Sequence, residues 1–364
     1  MDLCIIIKGM SFFLQTSVGI ISNCVILLSY ATILYSKCKL MPVDIVLSHL
    51  AFVNMMVLLT RGVPQTMTVF GINHVLDDVF CKVVVYIYRI VRALSVCVTC
   101  LLTVLQAVTI SPNIRWSFVK LKDMKFLSLS LVFLWVINMA VCIAAPFFSA
   151  LPRNVSIPSF TLNLGFCYVY FPDQMSYIIN GFAEFLRDFA FVAIMVFTSY
   201  FILRTLYRHR KQVQSIRRQN GARNLTAETK AAQDVLRMVL LYVIFFGIDN
   251  IIWIYMLTVS QVPSTITDMR VFFSSCYASL SPILIIFSNR KIQNGIKCAI
   301  KQKTVEVYQP RRPIKPDIVM QRLELCSSGG VLKEQEPSSG KQLLLERQWI
   351  AMQQLLKFWL QLKE

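Results

Sequence analysis

CKVVVYIYRIVRALSVCVTCLLTVLQAVTISP, residues 81–112, is apolar and long enough to cross a bilayer, yet it carries Arg89 and Arg92. Three residues apart, the two arginines share one helical face. A charge at membrane depth must face protein or a water-filled cavity rather than lipid, so this stretch is expected to form the central helix of a bundle. Cys81 at one end is available for an oxidised bridge. At the other end the helix runs into Ser111, Pro112 and a basic loop with Arg115, Lys120, Lys122 and Lys125. One end reads as oxidising and the other as cytoplasmic.

The remainder of the 364 residues agrees with this reading: 56% are hydrophobic and 15% charged, and the mean hydropathy is +0.59, whereas a soluble domain carries about 25% charged residues. A helix needs about 20 apolar residues to cross the hydrocarbon, and seven stretches qualify: 11–35, 43–67, 83–110, 126–148, 175–203, 235–259 and 268–287. Their apolar runs are uninterrupted and lack the alternation of barrel strands. The expected fold is an all-α membrane protein, a seven-transmembrane helix bundle.

Loop charges give its orientation. Lys37 and Lys39, the loop after the third span, the basic stretch 204–230, and Arg290, Lys291, Lys297, Lys301 and Lys303 all fall on one side. Lys8, Lys82, Arg153 and Arg270 fall on the other. The positive-inside rule then places the N-terminus outside and the C-terminus inside. The net charge of +18 thus reflects topology, and no nucleic-acid partner is expected. No basic n-region follows Met1, so the first span is expected to serve as the targeting signal without cleavage. Residues 1–303 form the seven-helix domain. Residues 304–364 are polar and proline-bearing and read as a largely disordered cytoplasmic tail. Within the tail, Leu344, Trp349, Leu355 and Trp359 give 341–364 the pattern of an amphipathic helix lying on the membrane, an extension without fixed role being the alternative.

Cys81 and Cys167 lie on the oxidising face and are expected to form a disulfide. Cys97 and Cys100 have redox or zinc spacing but lie in mid-membrane without a second ligand pair, so core packing is expected, and His49 and His74 are too far apart to share a metal. Neither metal nor cofactor is expected. Of the two sequons, Asn154 faces the glycosylation machinery and Asn224 does not, so a glycan is expected on Asn154 alone.

The fifth span carries Glu184, Arg187 and Asp188, and the sixth carries Asp249. With Arg89 and Arg92 these charges balance only collectively, which places them around one cavity in the outer half. Arg89, Arg92, Glu184, Asp188 and Asp249 are the candidate ligand-binding residues, and a purely structural ion-pair network is the alternative. No phosphate loop and no nucleophile with a base is present, so no enzyme is expected. The seventh span has no lysine, which excludes a retinal Schiff base there.

Several segments together resemble one family: DIVLSHLAFVNMMVLLTRGVPQTM (44–67), RALSVCVTCLLTVLQAVTISP (92–112), the sequon loop at Asn154, LRDFAFVAIM (186–195), YRHRKQVQSI (207–216), KAAQDVL (230–236) and YASLSPILI (277–285). From about residue 11 to 303 the chain is similar to the vomeronasal type 1 receptors, a class of seven-helix G-protein-coupled chemoreceptors that includes fish olfactory receptors. Gly19, Asn23, Trp135 and Pro282 stand where the wider rhodopsin-like pattern expects such residues. Asn54 replaces the usual Asp, Leu105-Gln106-Ala107 replaces Asp-Arg-Tyr, and Ser281-Pro282-Ile283-Leu284-Ile285 replaces Asn-Pro-x-x-Tyr, departures that the vomeronasal family shares.

The resemblance implies a multi-pass plasma-membrane receptor for pheromones or odorants. It would bind a small molecule in the outer-half cavity and activate a heterotrimeric G protein of the inhibitory type. Arg208, Arg210, Lys211, Arg217 and Arg218, just inside the fifth span, are the candidate G-protein contacts. A transporter or channel would show inverted repeats, broken helices or a polar stripe reaching the inner half, and a bitter-taste-type receptor is the neighbouring alternative. Cavity arginines favour an acidic ligand, while Glu184, Asp188 and Asp249 suit an amine.

Overall fold

In hydrocarbon every backbone N–H and C=O must be satisfied within the protein, so the apolar stretches become helices. The computed structural model describes residues 3–35, 40–72, 77–110, 123–150, 161–217, 227–258, 264–289 and 291–294. Among these, seven helices are long and apolar enough to span a membrane: Ile5–Tyr35, Pro42–Val69, Asp78–Ile110, Met124–Phe148, Gln174–Arg208, Ala232–Met256 and Thr265–Ser288. Contacts divide the chain into Met1–Ile314 and Lys315–Glu364. The architecture below is that of the first unit. Asn154, Asn224, Arg218, the tail and its expected 341–364 helix lie outside the described residues.

The third helix is the centre of the bundle. It packs against the second, fourth, fifth and sixth helices, and 78% of its most apolar window is buried, against 22% for the fourth. The first helix packs on the second and seventh, and the sixth on the seventh. Contact between the first and seventh is made possible by Gly19, where an added Cβ would lie 3.0 Å from the Ser279 backbone and 2.5 Å from Leu58 Cδ1. Close backbone approach at small residues is how helices associate without a hydrophobic drive between them. Deeper in the bundle, Asn54 joins three helices: its amide donates to Ser281 Oγ at 2.9 Å, and it accepts from Ser95 Oγ at 2.7 Å. The neutral Asn thus finds neutral partners on both sides.

Two helices depart from regular winding. In the second, a π-helical turn covers Leu58–Gly62 just ahead of Pro64, which has no N–H to give to Thr60 and whose ring would crowd that carbonyl. The extra residue in the turn relieves this, and such turns recur at functional sites. In the fourth, the expected unbroken span ends at Val141, and a short helix, Ala145–Phe148, follows. Pro146 cannot donate to Cys142, whose carbonyl accepts from Ala145 N instead at 3.0 Å.

A small antiparallel sheet caps the end of the bundle that begins the third helix. Its strands are β1 (Ser149–Ala150), β2 (Thr161–Asn163) and β3 (Tyr168–Tyr170), in the order β1-β3-β2. The β2–β3 turn passes through Gly165 at φ +87°, a conformation that a side chain would disfavour. The turn closes with Leu164 N donating to Cys167 O at 2.9 Å. Cys167 forms a disulfide with Cys81, their Cα atoms 5.9 Å apart, as the sequence reading expected. Cys81, Val85, Leu164, Cys167, Val169 and Phe171 bury one another beneath the turn.

Candidate functional site

Below this cap lies a cavity of about 70 Å³, walled by Arg61, Tyr88, Arg89, Arg92, Leu164, Val169, Glu184, Arg187, Asp249 and Arg270, among others. It is smaller than the roughly 300 to 1,000 Å³ of a pocket for drug-sized ligands. A second hollow of about 30 Å³ shares Arg92, Asp249 and Ser274 with the first and is walled by Tyr242, Phe245, Phe246, Phe273 and Tyr277. Arg92 and Asp249 therefore stand between a polar chamber and an aromatic one.

The third helix brings Arg89 and Arg92 to the cavity one turn apart, and each has a partner on another helix. Arg89 pairs with Glu184 at 2.9 Å and donates to Asn180 Oδ1 at 3.0 Å, both on the fifth helix. Arg92 Nη2 reaches Asp249 Oδ2 of the sixth at 2.6 Å, and Arg270 of the seventh reaches the other oxygen of that carboxylate at 3.3 Å. Asp249 is 3% exposed. One carboxylate thus ties the third, sixth and seventh helices together.

Of the expected ligand-binding residues, Arg89, Arg92, Glu184 and Asp249 line the cavity and Asp188 does not. Asp188 is buried, and one of its oxygens accepts from both Nε and Nη2 of the neighbouring Arg187. The fifth helix turns Glu184 and Arg187 to the hollow and leaves Asp188 in the packing.

Three participants went unread. Arg61 is 3% exposed, stands 5.6 Å from the Tyr88 ring centre and 5.3 Å from that of Phe166, and donates to Leu164 O at 3.1 Å. Arg270, counted with the loop charges although the expected span 268–287 contains it, lies inside the seventh helix and in the cavity wall. Lys8, expected outside the first helix, lies within it and forms a salt bridge with Asp268, which also accepts from Gln65 at 3.0 Å. A charge that interrupts an apolar run, as Arg61 does in LLTRGVP, was the signal available.

At the opposite end, Arg208 and Lys211 of the elongated fifth helix are exposed, and that helix extends to Arg217. Asp44, 4% exposed, accepts from Lys291 Nζ at 2.7 Å and from Met41 N at 3.1 Å. Lys291 follows the seventh helix, so this pair ties the second helix to the chain beyond the seventh.

The profile of the vomeronasal organ pheromone receptor family matches residues 6–298. The chain belongs to that family. It is 58% identical to an olfactory receptor class A-like protein 1 from Danio rerio, over 83% of this chain and 96% of the relative. It is 31% identical to a vomeronasal type-1 receptor 1 from Gorilla gorilla gorilla, over 82% of this chain and 84% of the relative. The fold is similar to a crystal structure of squid rhodopsin, with a TM-score of 0.62 at 15% identity and 91% of each chain covered. This member of the vomeronasal receptor family is a multi-pass plasma-membrane protein and a chemosensory G-protein-coupled receptor. Its family and fold are those of a receptor, not an enzyme.

Proposed function

We propose that this receptor detects small acidic molecules that enter from outside the cell and bind in the arginine-walled cavity. The observation that carries the reading is the charge balance. Five guanidinium groups line the cavity, from Arg61, Arg89, Arg92, Arg187 and Arg270. Three carboxylates answer them: Glu184 and Asp249 in the wall, and Asp188 behind Arg187. The surplus of two positive charges favours an anion over an amine, because a desolvated cation is stabilised by a counter-charge that also accepts its hydrogen bonds. The modest free volume fits a ligand of few heavy atoms, or one that displaces side chains as it enters.

Binding shifts a two-state helix arrangement that the third, sixth and seventh helices share. The loop charges support an outside N-terminus and an inside C-terminus, which makes the Cys81 end extracellular. Arg208, Arg210, Lys211, Arg217 and Arg218 then meet a heterotrimeric G protein of the inhibitory type. Neutralising all five should suppress signalling at matched surface level, and full signalling would argue that they serve topology only.

The test of the ligand class is a G-protein reporter in cells displaying the receptor, dosed with small carboxylic acids, their primary amides and amines of the same skeleton. Acids that activate while their amides and amines stay silent support the reading. Activation by amines, or equally by acid and amide, contradicts it.

A further inference from the structure

We infer that Arg61 is the residue that holds the anionic group of the acid, and that the other cavity arginines are largely committed to the protein itself. The inference rests on the acidic-ligand reading above and assigns its anchor.

The five guanidinium groups are not equivalent. Arg89 is paired with Glu184, Arg92 and Arg270 with Asp249, and Arg187 with Asp188. Arg61 has no carboxylate within 4.0 Å among the described residues. It is nevertheless the most enclosed of the five, 3% exposed. A desolvated cation without a counter-ion is costly unless something else answers it. Here two aromatic rings flank the guanidinium, and one N–H donor reaches Leu164 O. A guanidinium has five such donors, one of them is used on Leu164 O, and this residue lines the cavity, so donors remain for a carboxylate placed there.

The local backbone supports a special role. Arg61 sits in the π-helical turn Leu58–Gly62, and such turns concentrate at functional sites. Its acceptor, Leu164, belongs to the turn that holds Cys167 and its bridge to Cys81. An anion on Arg61 therefore contacts a side chain that already grips the cap, and it joins the second helix to the loop above the cavity.

The test is thermal melting of the full-length receptor in lipid nanodiscs, with sodium acetate as the probe and equal concentrations of acetamide and of sodium chloride as controls. At about 100 mM, acetate should raise the melting temperature by roughly 2 to 4 °C above both controls. In Arg61→Met that rise should vanish. The melting temperature in chloride should hold or increase, since a buried cation without a carboxylate partner has been removed. A residue that merely holds Leu164 in place would instead lower it.

Arg61→Lys keeps the charge without the fork and should lose at least half of the acetate rise. This variant serves if Arg61→Met does not fold, and a full acetate rise in it overturns the inference. A full acetate rise in Arg61→Met overturns the inference and leaves the acidic-ligand reading standing. No acetate rise in the unaltered receptor overturns both.

Discussion

Asp249 is the carboxylate whose loss should matter most, because it answers Arg92 at 2.6 Å and Arg270 at 3.3 Å while being 3% exposed itself. Asp249→Leu leaves two guanidinium groups facing one another without a counter-charge between them. Breaking a buried pair by removing one partner costs about 3 to 5 kcal/mol. The Arg92 side chain is 22% exposed, so cavity water screens part of this and the lower figure applies. At roughly 1.3 to 1.6 °C per kcal/mol for a chain of this length, a loss of about 3 kcal/mol lowers the melting temperature by about 4 to 5 °C. Arg92→Met should cost less, since Asp249 keeps Arg270. The double variant should recover at least half of the Asp249→Leu loss, with Arg270 alone left unanswered. Melting of the four proteins in nanodiscs forms a double-mutant cycle. Losses that simply add would refute the claim that Arg92 and Asp249 act as one unit across the third and sixth helices.

Cys81→Ser and Cys167→Ser should each remove the closure of an 86-residue loop, worth about 4 to 5 kcal/mol, and the double variant should be little worse than either; surface display that falls additively would show that they are not functional partners. Gly19→Val should lower surface display, because its Cβ would meet Leu58 and the Ser279 backbone at an overpacking cost of about 1 to 3 kcal/mol; unchanged display would mean that the first and seventh helices separate easily there. Treatment with a glycosidase should shift the receptor band, and Asn154→Gln should abolish that shift while Asn224→Gln leaves it intact. A shift that depends on Asn224 would reverse the proposed topology.

The bundle was legible because burial in lipid leaves a long, simple signal: about 20 apolar residues per span. The central place of the third helix followed from Arg89 and Arg92, since two charges on one face can only look inward. Pairing was less legible. Glu184 and Asp188 are four residues apart, yet the helix turns one to the cavity and the other into the packing, a difference set by how the fifth helix is rotated against its neighbours. Arg61 escaped because the second span was read as a hydropathy average, in which one arginine beside Thr60 and Gly62 is diluted. Lys8 escaped for a related reason: a charge near a span's end reads as the end of the helix, although a carboxylate on another helix can draw it inside. Asp268 does so for Lys8, while Arg270, already within the expected seventh span, was counted with the loop charges and so not matched to Asp249.

The most direct measurement is an experimental structure of the receptor bound to the most potent acid found in the reporter screen. The account predicts that the acid's carboxylate lies in the cavity below the Cys81–Cys167 cap, within hydrogen-bonding distance of at least one of the five guanidinium groups. A carboxylate bound elsewhere on the receptor, or one turned to solvent with the arginines contacting only groups of the protein, would contradict it.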